Sequence, residues 1–159
     1  MEKLIELYKK WAGEAPVDVI KLAGQGSNRQ YFRIIQQDGG TVIGVIGTSR
    51  DEDHAFIYLA NHFNLRQLPV PKVLAVSDDE LCYIQTDLGG TSLFDAIQGG
   101  REAGGRYNQK EKDLLKKTIR ELPNIQIRGA RGLEWKNCYP QPEFDVDSVL
   151  FDLNYFKYC

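Results

Sequence analysis

Nowhere in the 159 residues does an apolar run approach the ~20 positions needed to cross a bilayer, because charge or glycine interrupts every stretch within a few residues. A membrane span is therefore not expected. The N-terminal MEKLIELYKKWAGE mixes both charge signs and lacks an apolar core with a small-residue cleavage site, so it does not read as a secretory signal. Cysteine is scarce. Cys82, Cys138 and Cys159 are odd in number, widely spaced and free of any C-x-x-C pair, which argues against a disulfide framework and fits reduced thiols in the cytoplasm. The two histidines, His54 and His62, stand eight residues apart on one predicted helix and cannot form the i, i+4 zinc pair. Neither sign of charge is in excess: 20 basic against 22 acidic residues leave −2, which gives no electrostatic ground for binding nucleic acid or an anionic membrane. A G-x-S-x-G elbow, a Gly-Lys-Ser/Thr phosphate loop, internal repeats and low-complexity arrays are all missing.

What is present suits a globular chain with room for one domain: 42% of residues are hydrophobic and 26% charged. Leu4, Ile5, Tyr8 and Trp11 recur at helical spacing up to Gly13. The period then changes to two, predicting strands at 17–22, 31–35 and 41–46, the latter pair joined by a tight turn at Asp38-Gly39-Gly40. Ser49 and Glu52 have the spacing of a capping box, followed by Phe56, Leu59, Ala60 and Phe63 on the face expected to turn inward, so a helix is predicted over 51–63. Strands at 72–76 and 81–85 complete five. Beyond them, a short helix is expected over 93–98, a flexible glycine-rich loop over 99–105, and a helix from Asn108 to just before Pro123 with Leu114, Leu115, Ile119 and Leu122 inward. Residues 145–159 read as a helix apolar around most of its circumference, which calls for burial on several sides. That pattern suggests the first part of a longer fold, or else a terminal helix buried centrally or in self-association.

One stretch stands out: Leu22-Ala23-Gly24-Gln25-Gly26-Ser27-Asn28-Arg29-Gln30-Tyr31-Phe32-Arg33, a glycine loop between two predicted antiparallel strands. Glycines let backbone N–H groups approach phosphate oxygens, Ser27 and Asn28 add donors, and Arg29 adds charge. Such a loop could cover a nucleoside triphosphate. A Rossmann loop would need glycine where Arg29 stands and a helix after it, whereas Tyr31-Phe32-Arg33-Ile34-Ile35 favours strand. A glycine-rich hairpin turn is the plain structural alternative.

The order of the parts adds to this: glycine loop, strand pair, helix opening on an acid, strand pair, then Ile84-Gln85-Thr86-Asp87-Leu88-Gly89. That order resembles the N-terminal lobe of protein-kinase-like phosphotransferases of the aminoglycoside phosphotransferase and choline kinase group. GQGSNRQYFRI and QTDLGGTSLFDAI are most similar to bacterial kinases of N-acetylmuramate and N-acetylglucosamine, and DLNYFKY to the first C-lobe helices of that group. The resemblance implies an α+β fold, a kinase-like N-lobe with a five-stranded antiparallel sheet followed by a helical segment. It divides the chain into a nucleotide-binding lobe at 1–89 and, at 90–159, a helical linker with the start of an incomplete C-terminal lobe.

It also implies that Gly24, Gln25, Gly26, Ser27, Asn28 and Arg29 lie over the ATP phosphates, and that Gln85, Thr86, Asp87 and Leu88 form a hinge whose backbone meets adenine. Glu52 would be the acidic partner of the kinase lysine; as a member of a capping box it is explained equally well. The third strand, Thr41–Ile46, departs from the family pattern in carrying no lysine. Arg29, Arg33 and Lys21 are the alternative cations, Arg29 first because it adjoins the loop; the others read as solvated strand residues. Asp87 reads as positional, through a helix cap or an Asx turn. Asp51, Asp53, His54, Asp145, Asp147 and Asp152 read as capping or exposed residues. The implied reaction is transfer of the ATP γ-phosphoryl group to a small-molecule acceptor, an amino sugar, with Mg²⁺ whose ligands lie outside this chain. A noncatalytic nucleotide-sensing or protein-interaction module is the alternative, which the missing lysine would suit.

Overall fold

The computed structural model describes residues 1–24 and 28–158; Gln25, Gly26, Ser27 and Cys159 lie outside the described residues. Helix α1 (Glu2–Ala12) carries Leu4, Leu7 and Tyr8 on one buried stripe and stops where Gly13 takes φ 79°, a left-handed conformation that suits a residue without Cβ. Trp11, expected on the core face, is 37% exposed. In the last turn of α1 it reaches only the edge of the Tyr8 ring, 5.9 Å away.

The α+β architecture is present: strands β1 (Asp18–Lys21), β2 (Gln30–Ile35), β3 (Thr41–Ile46), β4 (Val73–Val76) and β5 (Cys82–Thr86) form one antiparallel sheet in the order β1-β2-β3-β5-β4. The strand period of two divides the sheet into two apolar faces. Phe32, Ile34, Val42, Cys82 and Ile84 pack with Leu4, Leu7 and Tyr8 of α1. Ile43, Val45 and Tyr83 point the other way and meet Phe56 and Ile57 of α2 (Arg50–Leu65). Gly44 sets the distance between α1 and the sheet, since a Cβ there would lie 2.7 Å from Leu4 Cδ2 and 2.9 Å from Ile34 Cδ1.

Helix α2 departs from the sequence expectation in its buried arc. Asp53, Ile57 and Ala60 are buried at i, i+4 and i+7, whereas Phe56, Leu59 and Phe63 are only half-buried. On this arc the Asp53 carboxylate lies against Gly47, where a Cβ would sit 1.5 Å from Asp53 Oδ2.

Past the sheet, α3 (Leu93–Ala96) begins with a reciprocal cap between Ser92 and Asp95. Residues 98–102 correct the reading of 99–105 as a flexible loop: they form a helical turn, α4 (Gln98–Glu102), in which Gly100 is buried. Lacking a side chain, Gly100 fits against the Tyr107 ring, and its N–H donates to Glu111 Oε1 at 2.8 Å. Glu111 also completes the capping box that starts α5 (Gln109–Pro123). Pro123 does not stop that helix as expected. The chain continues through one π-helical turn, Asn124–Arg128, closed by the i to i+5 bond from Gly129 N–H to Asn124 O. Ile119 and Leu122, expected inward, are 63% and 47% exposed, because only the first half of α5, at Glu111, Leu114 and Leu115, is covered. Helix α6 (Val146–Tyr158) starts where Asp145 accepts from Ser148 N–H, the expected capping role, and its apolar side chains are exposed on all faces. No helix among the described residues is long and apolar enough to cross a membrane.

Candidate functional site

Arg29, Tyr31 and Arg33 alternate with Gln30, Phe32 and Ile34, so strand geometry sends all three to the face opposite α1. They form a row along β2 that ends in acidic partners at both sides.

At one end, the guanidinium of Arg29 meets the first turn of α2. Its Nη2 donates to Glu52 Oε1 at 2.6 Å and its Nε lies 3.1 Å from Asp53 Oδ1. The same guanidinium stands 5.3 Å from the centroid of Phe56, whose ring stacks on Tyr83. Glu52 makes only the backbone half of the cap anticipated from the sequence: its N–H points to Ser49 Oγ at 3.5 Å, while its carboxylate goes to Arg29. The Asp53 side chain is 1% exposed, against 33% for Glu52. Among the described residues neither Asp53 oxygen accepts a hydrogen bond, so Arg29 compensates its charge through ion-pair distance alone. Burial pushes the Asp53 carboxyl up to about 6, Arg29 opposes that shift, and Glu52 adds to it. Burial likewise raises the Tyr83 phenol, with Arg29 opposing.

Asp53 thus corrects the expectation of an exposed or capping acid. The residue types gave one usable signal, its place four before Ile57 and seven before Ala60 on a single helical arc.

At the other end, Arg33 corrects the expectation of a solvated strand residue: its Nε donates to Asp87 Oδ2 at 2.6 Å and its Nη2 to Oδ1 at 3.2 Å. Asp87 also accepts from Thr41 Oγ1 at 2.9 Å and from Gly89 N–H at 2.8 Å, an Asx-type turn that fixes the exit of β5. These bonds hold its carboxyl below the usual range, the Arg33 hydrogen bond being the largest cause. Gln85 and Thr86 are committed to the sheet: Gln85 faces Ile43 on one side and Val73 on the other, and Thr86 N–H donates to Lys72 O. Asp87 and Leu88 are the predicted hinge positions that lie past the ladder.

At the Arg33 end is a cleft whose walls include neither Arg29, Glu52 nor Asp53. Two adjoining hollows of about 610 and 200 Å³ share Leu22, Tyr31, Arg33, Leu88 and Gly89 in their walls. Ile43 and Gln85 line the smaller one, and Ala23 with Thr91 and Ser92 the larger. Leu22 and Tyr31, at the edges of the glycine-loop stretch, and Ile43 take no site role from sequence, where they read as strand residues. Gly24 and Asn28 are exposed and line neither hollow; Gln25, Gly26 and Ser27 lie outside the described residues. A hollow of about 680 Å³ between residues 135–144 and α6 contains none of the predicted site residues. Among the described residues no group of three or more His, Cys, Asp or Glu is placed to hold a metal ion.

Compared with protein-family models and with curated proteins, the sequence matches none.

Proposed function

We propose that this chain is the nucleotide-binding part of an ATP-dependent phosphotransferase acting on a small hydroxyl-bearing acceptor, by its motif resemblance an amino sugar. One observation carries the reading: an apolar-walled cleft at the hinge end of β2 lies on the same sheet face as an arginine held by two carboxylates at the other end. Arg29 stands one residue ahead of β2 and four residues from Arg33, roughly 13 Å along an extended chain, a span suited to an extended nucleoside triphosphate with its base at Leu22, Tyr31 and Ile43 and its phosphates toward Arg29. Arg29 takes the place of the third-strand lysine, which β3 lacks, and Glu52 is its acidic partner. The groups that would accept the acceptor's hydroxyl proton and bind Mg²⁺ come, on this reading, from outside these residues, and the chain by itself is not expected to turn over substrate.

Titration calorimetry of the 159-residue chain with ATP tests the proposal. Binding in the millimolar range or tighter is expected, and Leu22→Glu, which places a carboxylate at the wall of the cleft, should weaken it by about tenfold or more. A folded chain with no ATP binding overturns the reading. The missing β3 lysine favours a second reading, an interaction module on a similar framework, which would instead give a stoichiometric dimer without nucleotide binding.

A further inference from the structure

We infer that Asp53 is the positioning residue that fixes Arg29 for contact with nucleotide phosphates, with Gly47 as the seat that admits it. This rests on the nucleotide reading above. Of the two acids on Arg29, Glu52 is the weaker candidate for a fixed anchor: its side chain is one-third exposed and belongs to a long flexible stem at the mouth of α2. Asp53 is short and fully buried. It is pressed onto the Cα of Gly47, where any Cβ would stand 1.5 Å from Oδ2 and 2.4 Å from Cγ. Its rotamer is therefore set by backbone, and so is the position of the oxygen 3.1 Å from Arg29 Nε. The face of Phe56 completes the seating of the guanidinium on a further side.

A buried carboxylate accepting no hydrogen bond among the described residues is costly, and a purely structural site would be better served by an apolar side chain. The arrangement makes sense if the arginine must be held before an anion arrives, so that little ordering is left for the binding step. The surrounding charged and titratable groups are Arg29 ahead of β2, Tyr31 on β2, Glu52 on α2, and Cys82 and Tyr83 on β5.

The test compares ATP with adenosine on the full chain. Asp53→Asn should weaken ATP by about fivefold and Asp53→Ala by about tenfold or more, while adenosine affinity stays within about twofold for both. A parallel measurement needs no nucleotide: the heteronuclear NOE of the Arg29 Nε–H group should report an ordered side chain in the wild type and in Glu52→Gln, and a mobile one in Asp53→Ala. Equal loss of ATP and adenosine would mark Asp53 as merely structural and overturn the inference. So would unchanged ATP affinity in a wild-type background that binds ATP. A wild-type chain that binds adenosine and ATP equally overturns this inference alone, because the phosphates then contribute nothing to affinity, whereas a folded chain that binds neither removes the nucleotide reading and this inference with it.

Discussion

Asp53 and Asp87 are both carboxylates facing an arginine, Arg29 just ahead of β2 and Arg33 within it, yet their surroundings drive them apart. Asp87 accepts from Arg33, Thr41 and Gly89, so its charge is well solvated by the protein and its folded pKa is depressed below the ordinary 3.8. The folded state then binds fewer protons than the unfolded one, and the stabilisation is present above 3.8 and lost as pH falls through the depressed value. Asp87→Ala should cost about 1–3 kcal/mol at pH 7 in urea denaturation, with the difference from wild type shrinking in acid. Asp53 has the opposite sign. Its folded pKa of about 6 exceeds the ordinary 3.8, so the folded state holds the extra proton and loses stability as pH rises between those values. Asp53→Asn should therefore be more stable than wild type at pH 7 and no different near pH 4, by thermal unfolding across that range. A variant that gains stability and loses ATP affinity separates positioning from general damage to the fold.

The packing of helices onto the sheet depends on positions where a side chain is absent. At Gly44, alanine would set its Cβ 2.7 Å from Leu4 and force α1 outward; Gly44→Ala should cost about 1–3 kcal/mol by urea denaturation, with near-native secondary structure by circular dichroism. Glu111 does the reverse in the helical segment, joining elements by what its side chain adds. One carboxylate accepts from Asn108 N–H and from Gly100 N–H, so it caps α5 and holds α4 at once. Glu111→Ala should speed amide exchange at 98–105 as well as at the start of α5. A simple loss of helix cap would affect only the latter.

Distant parts of the chain are clasped by the outer face of α2. His62 Nε2 lies 2.7 Å from Gly129 O, Arg66 reaches Arg131 O, and the Tyr58 hydroxyl accepts from Glu134 N–H at 2.8 Å. The sheet lobe and the segment after α5 thus share one helix, which presents Asp53 and Ile57 to the sheet and His62 with Tyr58 to residues 129–134. His62→Ala should free that segment, seen as faster exchange over 129–137 with protection retained in β3 and β5; loss of protection throughout would mean that the two parts unfold together.

Alternation and capping chemistry made five strands, their turns and the helix starts readable in advance, since these follow from local φ/ψ preferences and a period of two or 3.6 carried within each segment. Ser92, Asn108 and Asp145 cap as their spacing implies. Arg29 stands out because it adjoins the glycine loop, and Glu52 as a member of a capping box, its site role being what the family resemblance implies. What local rules do not contain is the rotation of one element against another. That rotation buried Asp53 rather than exposing it, paired Arg33 with a residue 54 positions away, and made Leu22, Tyr31 and Ile43 the walls of a cleft. It also left Ile119 and Leu122 in solvent although their spacing is that of a core stripe. A side chain's period states which neighbours share its face, whereas burial depends on whether another part of the chain arrives to cover that face, and only the packed fold decides it.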